Sequence, residues 1–212
     1  MMGIDVYKTI EGIGLVPVVV IDDAADAAPA AAALKAGGAP VMEITLRTEA
    51  GLDAIESVAG NVSDVLVGAG TVLSLDNAIE AVERGAKYIV SPGFDMKVVS
   101  WCIERGVAII PGCVTPTELL AAIGMGLNVV KFFPANIYGG AEAIKALSGP
   151  FPDIRFLPTG GIDLDNLEDF LMPQVIAIGG GWLCPRKNIK EKQFDHITEI
   201  CAKSVDIVKS KL

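Results

Sequence analysis

Eight short apolar, β-branched runs recur along the chain, and each is followed by a segment of helical pattern. The runs begin at Leu15 (LVPVVVI), Val41 (VMEITL), Asp64 (DVLVGAG), Lys87 (KYIVSP), Val107 (VAIIPGC), Asn128 (NVVKFFP), Ile154 (IRFLPTG) and Gln174 (QVIAIGG). The helical segments between and after them are 24–36, 50–59, 75–84, 96–105, 116–123, 141–147, 165–171 and 194–209. Asp76, Asp95, Thr115 and Asp163 stand where N-caps belong, and Gly37, Gly60, Gly85, Gly106 and Gly124 where helices should stop. Strands alternating with helices call for a parallel sheet. Eight such units predict an α/β fold, a single (β/α)8 TIM barrel. A doubly wound sheet would want a glycine-rich turn after the first strand, and Ile21-Asp22-Asp23 has none. An additional amphipathic segment, 5–11, precedes the first strand and is expected to form an extra N-terminal helix across the barrel's lower opening. No composition break or low-complexity tract divides the chain, so residues 1–212 are expected to form one domain.

The sixth run places a lysine among apolar residues, Val129-Val130-Lys131-Phe132-Phe133-Pro134. A run of this kind reads as a strand buried on both faces. Desolvation favours the neutral amine, which is a nucleophile toward carbonyls, so the chemistry to expect is a Schiff base. The competing reading is a strand-end lysine whose head group reaches a carboxylate or water. In the second run Glu43, Thr45 and Arg47 share one parity and Met42, Ile44 and Leu46 the other. The apolar set should face the helices and the polar set the barrel interior. An interior carboxylate is costly unless it is paired or functional. An ion pair of Glu43 with Lys131 or Arg47 that only holds the core together is the alternative.

Active sites of this fold lie at the C-terminal ends of the strands. The third and fourth strands end in Gly68-Ala69-Gly70-Thr71 and Ser91-Pro92-Gly93-Phe94. The seventh and eighth end in Thr159-Gly160-Gly161 and Gly179-Gly180-Gly181. Consecutive glycines let backbone N–H groups approach an anion, and the loops after strands seven and eight are the usual phosphate site. Tight barrel turns also want glycine for conformational reasons alone.

Composition narrows the chemistry. The formal charge is −9, with no basic patch for a phosphate backbone, so nucleic acid is not an expected partner; a small anionic substrate needs only a few local cations. No apolar stretch is long enough to span a bilayer, and the first residues lack a basic segment followed by a long apolar core, so the expected location is cytoplasmic. The only histidine is His196, in the amphipathic C-terminal segment, and Cys102, Cys113, Cys184 and Cys201 are scattered and expected to be reduced. Neither a metal site nor a cofactor is expected. Acid–base work falls to carboxylates, lysines or hydroxyls.

Five motifs carry a resemblance. Glu43-Ile-Thr-Leu-Arg47-Thr, Gly68-Ala-Gly-Thr71-Val, Ser91-Pro92-Gly-Phe94, Val130-Lys131-Phe-Phe133-Pro-Ala and Pro158-Thr159-Gly-Gly161 resemble the 2-keto-3-deoxy-6-phosphogluconate (KDPG) / 4-hydroxy-2-oxoglutarate (KHG) aldolase family, in order and over nearly the whole chain. The resemblance implies a metal-free class I lyase on a small barrel that assembles as a homotrimer and acts on a small anionic 2-keto acid. It implies Lys131 as the Schiff-base lysine and Glu43 as general acid/base. It places Arg47 and Thr71 around the pyruvyl end, Pro92 and Phe133 as walls, and Thr159 against the substrate. Gly160, Gly161, Gly180 and Gly181 line its phosphate pocket. Members active on the phosphorylated sugar acid have serine where this chain has Gly181, which leaves the choice between the two substrates open. Two other classes fit the barrel without the resemblance: a different phosphate-binding isomerase or synthase, and a non-catalytic metabolite-binding barrel.

Overall fold

The protein is described from a computed structural model, in which residues 5–211 are placed. The strands are β1 (Leu15–Val19), β2 (Val41–Thr45), β3 (Leu66–Gly70), β4 (Tyr88–Val90), β5 (Ala108–Ile110), β6 (Val129–Phe132), β7 (Arg155–Pro158) and β8 (Ile178–Gly180). The helices are α1 (Val6–Ile13), α2 (Ala27–Ala36), α3 (Gly51–Asn61), α4 (Leu75–Glu83), α5 (Met96–Arg105), α6 (Pro116–Gly124), α7 (Gly140–Ser148), α8 (Arg186–Lys190) and α9 (Phe194–Lys209).

Six strands form a curled parallel sheet in the order β5-β4-β3-β2-β1-β8, and β6 and β7 form a separate parallel pair. The continuous eight-stranded ladder expected from the repeat is thus interrupted at two seams. At the first, a single bridge joins Gly112 to Lys131, where Lys131 N–H donates to Pro111 O (2.8 Å) and Cys113 N–H donates to Lys131 O (2.9 Å). At the second, isolated bridges join Phe156 to Val175 and Thr159 to Gly179. Pro111 and Pro158 stand at these seams; neither has an N–H, so neither can donate to a neighbouring strand.

The alternation of side chains sorts the apolar residues into two cores. Met42, Ile44, Val67, Ala69, Ile89, Val130 and Phe132 face outward into the layer shared with the helices. Val16, Val41, Leu66, Tyr88, Val90, Ile110, Val129 and Leu157 face inward and fill the lower part of the curl, with Val6 and Ile10 of α1 packed among them. Tyr7 fastens α1 to the sheet: its hydroxyl donates to Ile109 O (3.0 Å) and accepts from Ile109 N–H (3.1 Å). The lower interior is therefore solid, and polar groups collect above it.

Helix punctuation departs from the sequence reading in several places. Asp95 caps α5, accepting from Lys97 N–H (2.8 Å) and Val98 N–H (3.0 Å), and Thr115 caps α6, both as expected; Glu118 completes a capping box with Thr115. Such a cap is worth about 1 kcal/mol. The cap of α4 is Ser74; Asp76 lies inside the first turn, where its charge meets the positive end of the helix dipole instead. Gly37 and Gly106 end α2 and α5, but Gly60 lies inside α3, Gly124 is the last residue of α6, and Gly85 lies two residues past the end of α4. The helix expected over 165–171 is a 3₁₀ turn, Leu167–Phe170, and Asp163 holds the preceding loop by accepting from Asp165 N–H.

Candidate active site

Glu43 and Lys131 meet inside the curl, from strands 88 residues apart in sequence. Lys131 Nζ lies 3.0 Å from Glu43 Oε1 and 3.5 Å from Oε2. Glu43 is 0 % exposed and Lys131 5 %, so the pair is shielded from water. Lys131 Nζ also sits 5.4 Å from the centroid of the Phe133 ring, a cation–π distance. β3 makes room for the pair. Its inward positions next to Glu43 are glycines, and a methyl group on Gly70 would overlap Oε1 and Cγ of Glu43. A methyl on Gly68 would overlap the ring of Tyr88 in the same way. Tyr88 thus lies one step along β3 below the carboxylate. Burial first, and the charge of Glu43 second, push its phenol well above the usual range.

The mouth above this pair holds a cavity of about 320 Å³. Arg47, Phe133, Thr159, Gly160, Gly161, Gly180 and Gly181 all line it, which gathers most of the residues expected from the sequence into one place. Lys131, Glu43, Thr71 and Pro92 are not among its lining residues; Phe133, whose ring lies 5.4 Å from Lys131 Nζ, connects the buried pair to it. Thr71 follows β3 with φ +57°, a left-handed conformation that is strained for a β-branched side chain. Pro92 is packed so closely on Gly112 that no side chain fits there. Gly160 (φ +99°) and Gly161 (φ +71°) turn the loop after β7 in conformations other residues resist, and a side chain at 161 would strike Asn136. A larger cavity of about 410 Å³ lies at the other end of the strands, beside Glu11, Arg155 and Met172. It lacks a buried lysine–carboxylate pair, and the fold's chemistry belongs at the opposite face.

Among the described residues no group of three or more His, Cys, Asp or Glu side chains is arranged to hold a metal ion. All four cysteines are free and buried, and burial pushes the thiols of Cys102, Cys113 and Cys184 up to about 12 and that of Cys201 to about 11. His196 is on the outer face of α9, 3.7 Å from Glu199.

Residues 6–200 match the family of KDPG and KHG aldolases. The chain belongs to the KDPG and KHG aldolase family. It is 41% identical over 206 residues to the 2-dehydro-3-deoxy-phosphogluconate aldolase of Treponema pallidum, covering 97% of this chain and 98% of that one. To the KHG/KDPG aldolase of Escherichia coli it is 42% identical over 193 residues, 91% of each chain. Its fold superposes with a TM-score of 0.89, at 39% identity and over 92% of this chain and 96% of the other, on a KDPG aldolase from Legionella pneumophila whose crystal structure holds pyruvate as a covalent carbinolamine.

Against the KDPG and KHG aldolase motifs, two features of this chain stand out. Gly181 is exposed and its φ is not left-handed; a methyl there would approach only Val18 O, at 3.6 Å. Glycine is therefore not required at 181 by the backbone. The second feature, an Arg186–Asp22 pair, escaped the sequence reading. Arg186 lines the mouth cavity, and its guanidinium grips Asp22 through Nε–Oδ2 (2.8 Å) and Nη2–Oδ1 (2.5 Å). Asp22 could have been noticed as a charge just past a strand's C-terminal end; Arg186 carried no local signal.

The glycine at 70 gives a direct check on this packing. Gly70→Ala is expected to cost about 1–3 kcal/mol in stability, the usual scale of overpacking, and to displace Glu43 from Lys131. Thermal melting together with an aldol-cleavage assay tests it. A variant that melts and turns over like the parent would mean that the carboxylate has room to spare.

Proposed function

We propose that the chain is a class I aldolase that cleaves KDPG to pyruvate and glyceraldehyde 3-phosphate, and KHG to pyruvate and glyoxylate, through an imine on Lys131. The observation that carries this reading is the 3.0 Å contact between Lys131 Nζ and Glu43 Oε1 in a buried interior. One proton passing from Nζ to the carboxylate removes both buried charges at once and leaves a neutral amine. That amine attacks C2 of the substrate; the carbinolamine loses water and becomes a cationic imine. Glu43 takes the proton of the C4 hydroxyl. The C3–C4 bond breaks, its electrons flow into the imine to give an enamine, and the aldehyde leaves. A proton returned to C3 and hydrolysis of the imine release pyruvate and regenerate Lys131. One carboxylate serves every proton transfer, which suits a site without histidine, and the iminium supplies the electron sink that a metal would otherwise provide.

The remaining residues follow. Arg47, exposed at the mouth, holds the substrate carboxylate with Thr71 beside it. Phe133 and Pro92 wall the pyruvyl end, Thr159 contacts the substrate, and the backbone of Gly160, Gly161, Gly180 and Gly181 receives the distal anion. We read the eight strands as one closed barrel with α1 as its stopper, the whole of 1–212 as one domain, and the working enzyme as a cytoplasmic homotrimer without nucleic-acid or membrane partners. Among the described residues no helix is long and apolar enough to cross a membrane. Exposed Leu73, Leu120, Ile137 and Tyr138 supply apolar surface for subunit contact. Sedimentation equilibrium is expected to return three times the 22.1 kDa chain mass; a monomer mass contradicts the assembly.

The deciding experiment is borohydride reduction in the presence of pyruvate, followed by mass spectrometry. One pyruvyl-derived group is expected, on the peptide that contains Lys131. Labelling at Lys87 or Lys145 instead would refute the assignment. Substrate choice is tested at position 181, where serine has room. Gly181→Ser should raise kcat/KM for the phosphorylated substrate over KHG by about tenfold or more, the scale of a hydrogen bond to a charged group. An equal change on both substrates would show that position 181 does not set the preference.

A further inference from the structure

The mouth cavity contains two charged side chains, Arg47 and Arg186. The proposed substrates carry two anionic ends. On the aldolase reading, Arg47 takes the carboxylate next to the reacting carbonyl, and one cation is left for the other end. Arg186 lines the cavity together with Gly180 and Gly181 and begins α8, three residues after the 3₁₀ turn Gly181–Leu183. It is therefore close to the position where a serine hydroxyl is absent. We propose that Arg186 is the residue that selects for a distal phosphate in this chain, exchanging Asp22 for the substrate's phosphate when substrate binds. The inference rests on the aldolase reading and adds to it a specificity residue outside the five motifs.

The pair with Asp22 has the form an exchange needs. Both of its contacts use the planar fork of the guanidinium, the geometry that a phosphate also accepts. The side chains are 59 % and 45 % exposed, so the pair is solvent-screened and weakly held, and a dianionic competitor can displace the carboxylate. The hydrogen bond from Arg186 holds the Asp22 carboxyl below the usual range. While paired, Asp22 cancels the field of Arg186 at the cavity rim. The fork accepts carboxylate and phosphate alike, so the preference comes from reach and charge: the phosphate of KDPG lies farther from the reacting carbonyl than the distal carboxylate of KHG and carries the larger charge.

The experiment compares kcat/KM for KDPG and KHG in the full-length wild type, Arg186→Ala, Asp22→Asn and the double variant, and measures inhibition of KHG cleavage by inorganic phosphate. Arg186→Ala should lower the KDPG/KHG ratio by about ten- to a hundredfold, the scale of losing a hydrogen bond to a charged group, and should weaken phosphate inhibition. Asp22→Asn should raise the ratio and tighten phosphate inhibition, and adding Arg186→Ala should erase both gains. A ratio that Arg186→Ala leaves unchanged overturns the proposal. So does a gain from Asp22→Asn that persists without Arg186. Imine trapping with pyruvate in the wild type separates the two levels: its absence refutes the aldolase reading, whereas its presence with an unaltered ratio refutes only the role of Arg186.

Discussion

Replacing Lys131 with methionine is expected to abolish imine trapping and to bring aldol cleavage down to background. Methionine keeps an unbranched chain of similar length in the β6 position but has no nitrogen to attack C2. Enzymes commonly exceed the uncatalysed rate by about 10⁶-fold or more, so the loss should be limited by assay sensitivity. The substitution also reaches the fold. Glu43 is 0 % exposed, and Lys131 is the cation that faces it. Removing one partner of a buried pair typically costs about 3–5 kcal/mol. K131M should therefore melt well below the parent, and adding Glu43→Gln should recover most of that stability without recovering activity. This double comparison separates the chemical from the structural contribution of the pair. Residual borohydride trapping in K131M would move the imine to another lysine and overturn the mechanism.

Glu43→Gln alone is the second large effect. Glutamine preserves the shape and still accepts a hydrogen bond from Lys131, so pyruvate should still be trapped. Turnover should fall by roughly 10²–10⁴-fold, the range for loss of a general acid/base. A second readout is independent of cleavage. If the same carboxylate returns the proton to the enamine, exchange of the pyruvate methyl hydrogens with deuterated water should collapse in parallel, as followed by proton NMR. Cleavage that falls while exchange persists would assign the two proton transfers to different groups.

These residues were legible in the sequence because period-two alternation is a strong constraint. Glu43 shares parity with Val41 and Thr45, and Lys131 with Val129; inward Val41 and Val129 lie in the lower core, so the polar members of each set had to point into the same interior. The glycine loops at the mouth were legible because paired glycines stand at two strand ends, and both pairs line the cavity. Short-range features were less secure. Ser74 and Asp76 both cap well in isolation, and only the start of the α4 hydrogen-bond ladder chooses between them. The segment around Leu167–Phe170 winds as a single 3₁₀ turn between the loop held by Asp163 and Pro173, a distinction that composition does not carry. The Asp22–Arg186 pair spans 164 residues, and neither partner sits in a patterned run. Tyr88 escaped attention because in KYIVSP it reads as one more apolar strand residue. Its place under Glu43 depends on Gly68 of the neighbouring strand, which no single-segment reading supplies.

Tyr7, Val6 and Ile10 pack against the lower end of the strands; with the eight strands read as one closed barrel, substrate and both products share a single passage. On the mechanism proposed above, the aldehyde is free once C3–C4 is cut, while the three-carbon fragment is still tethered to Lys131. Departure is then ordered by topology: the aldehyde leaves first, and pyruvate can follow only after hydrolysis, through the space the aldehyde has vacated. Pyruvate accordingly meets the empty enzyme and competes with whole substrate, whereas the aldehyde meets the tethered form and gives mixed inhibition. The plug at the floor of the strands thereby sets the sequence of events at the roof.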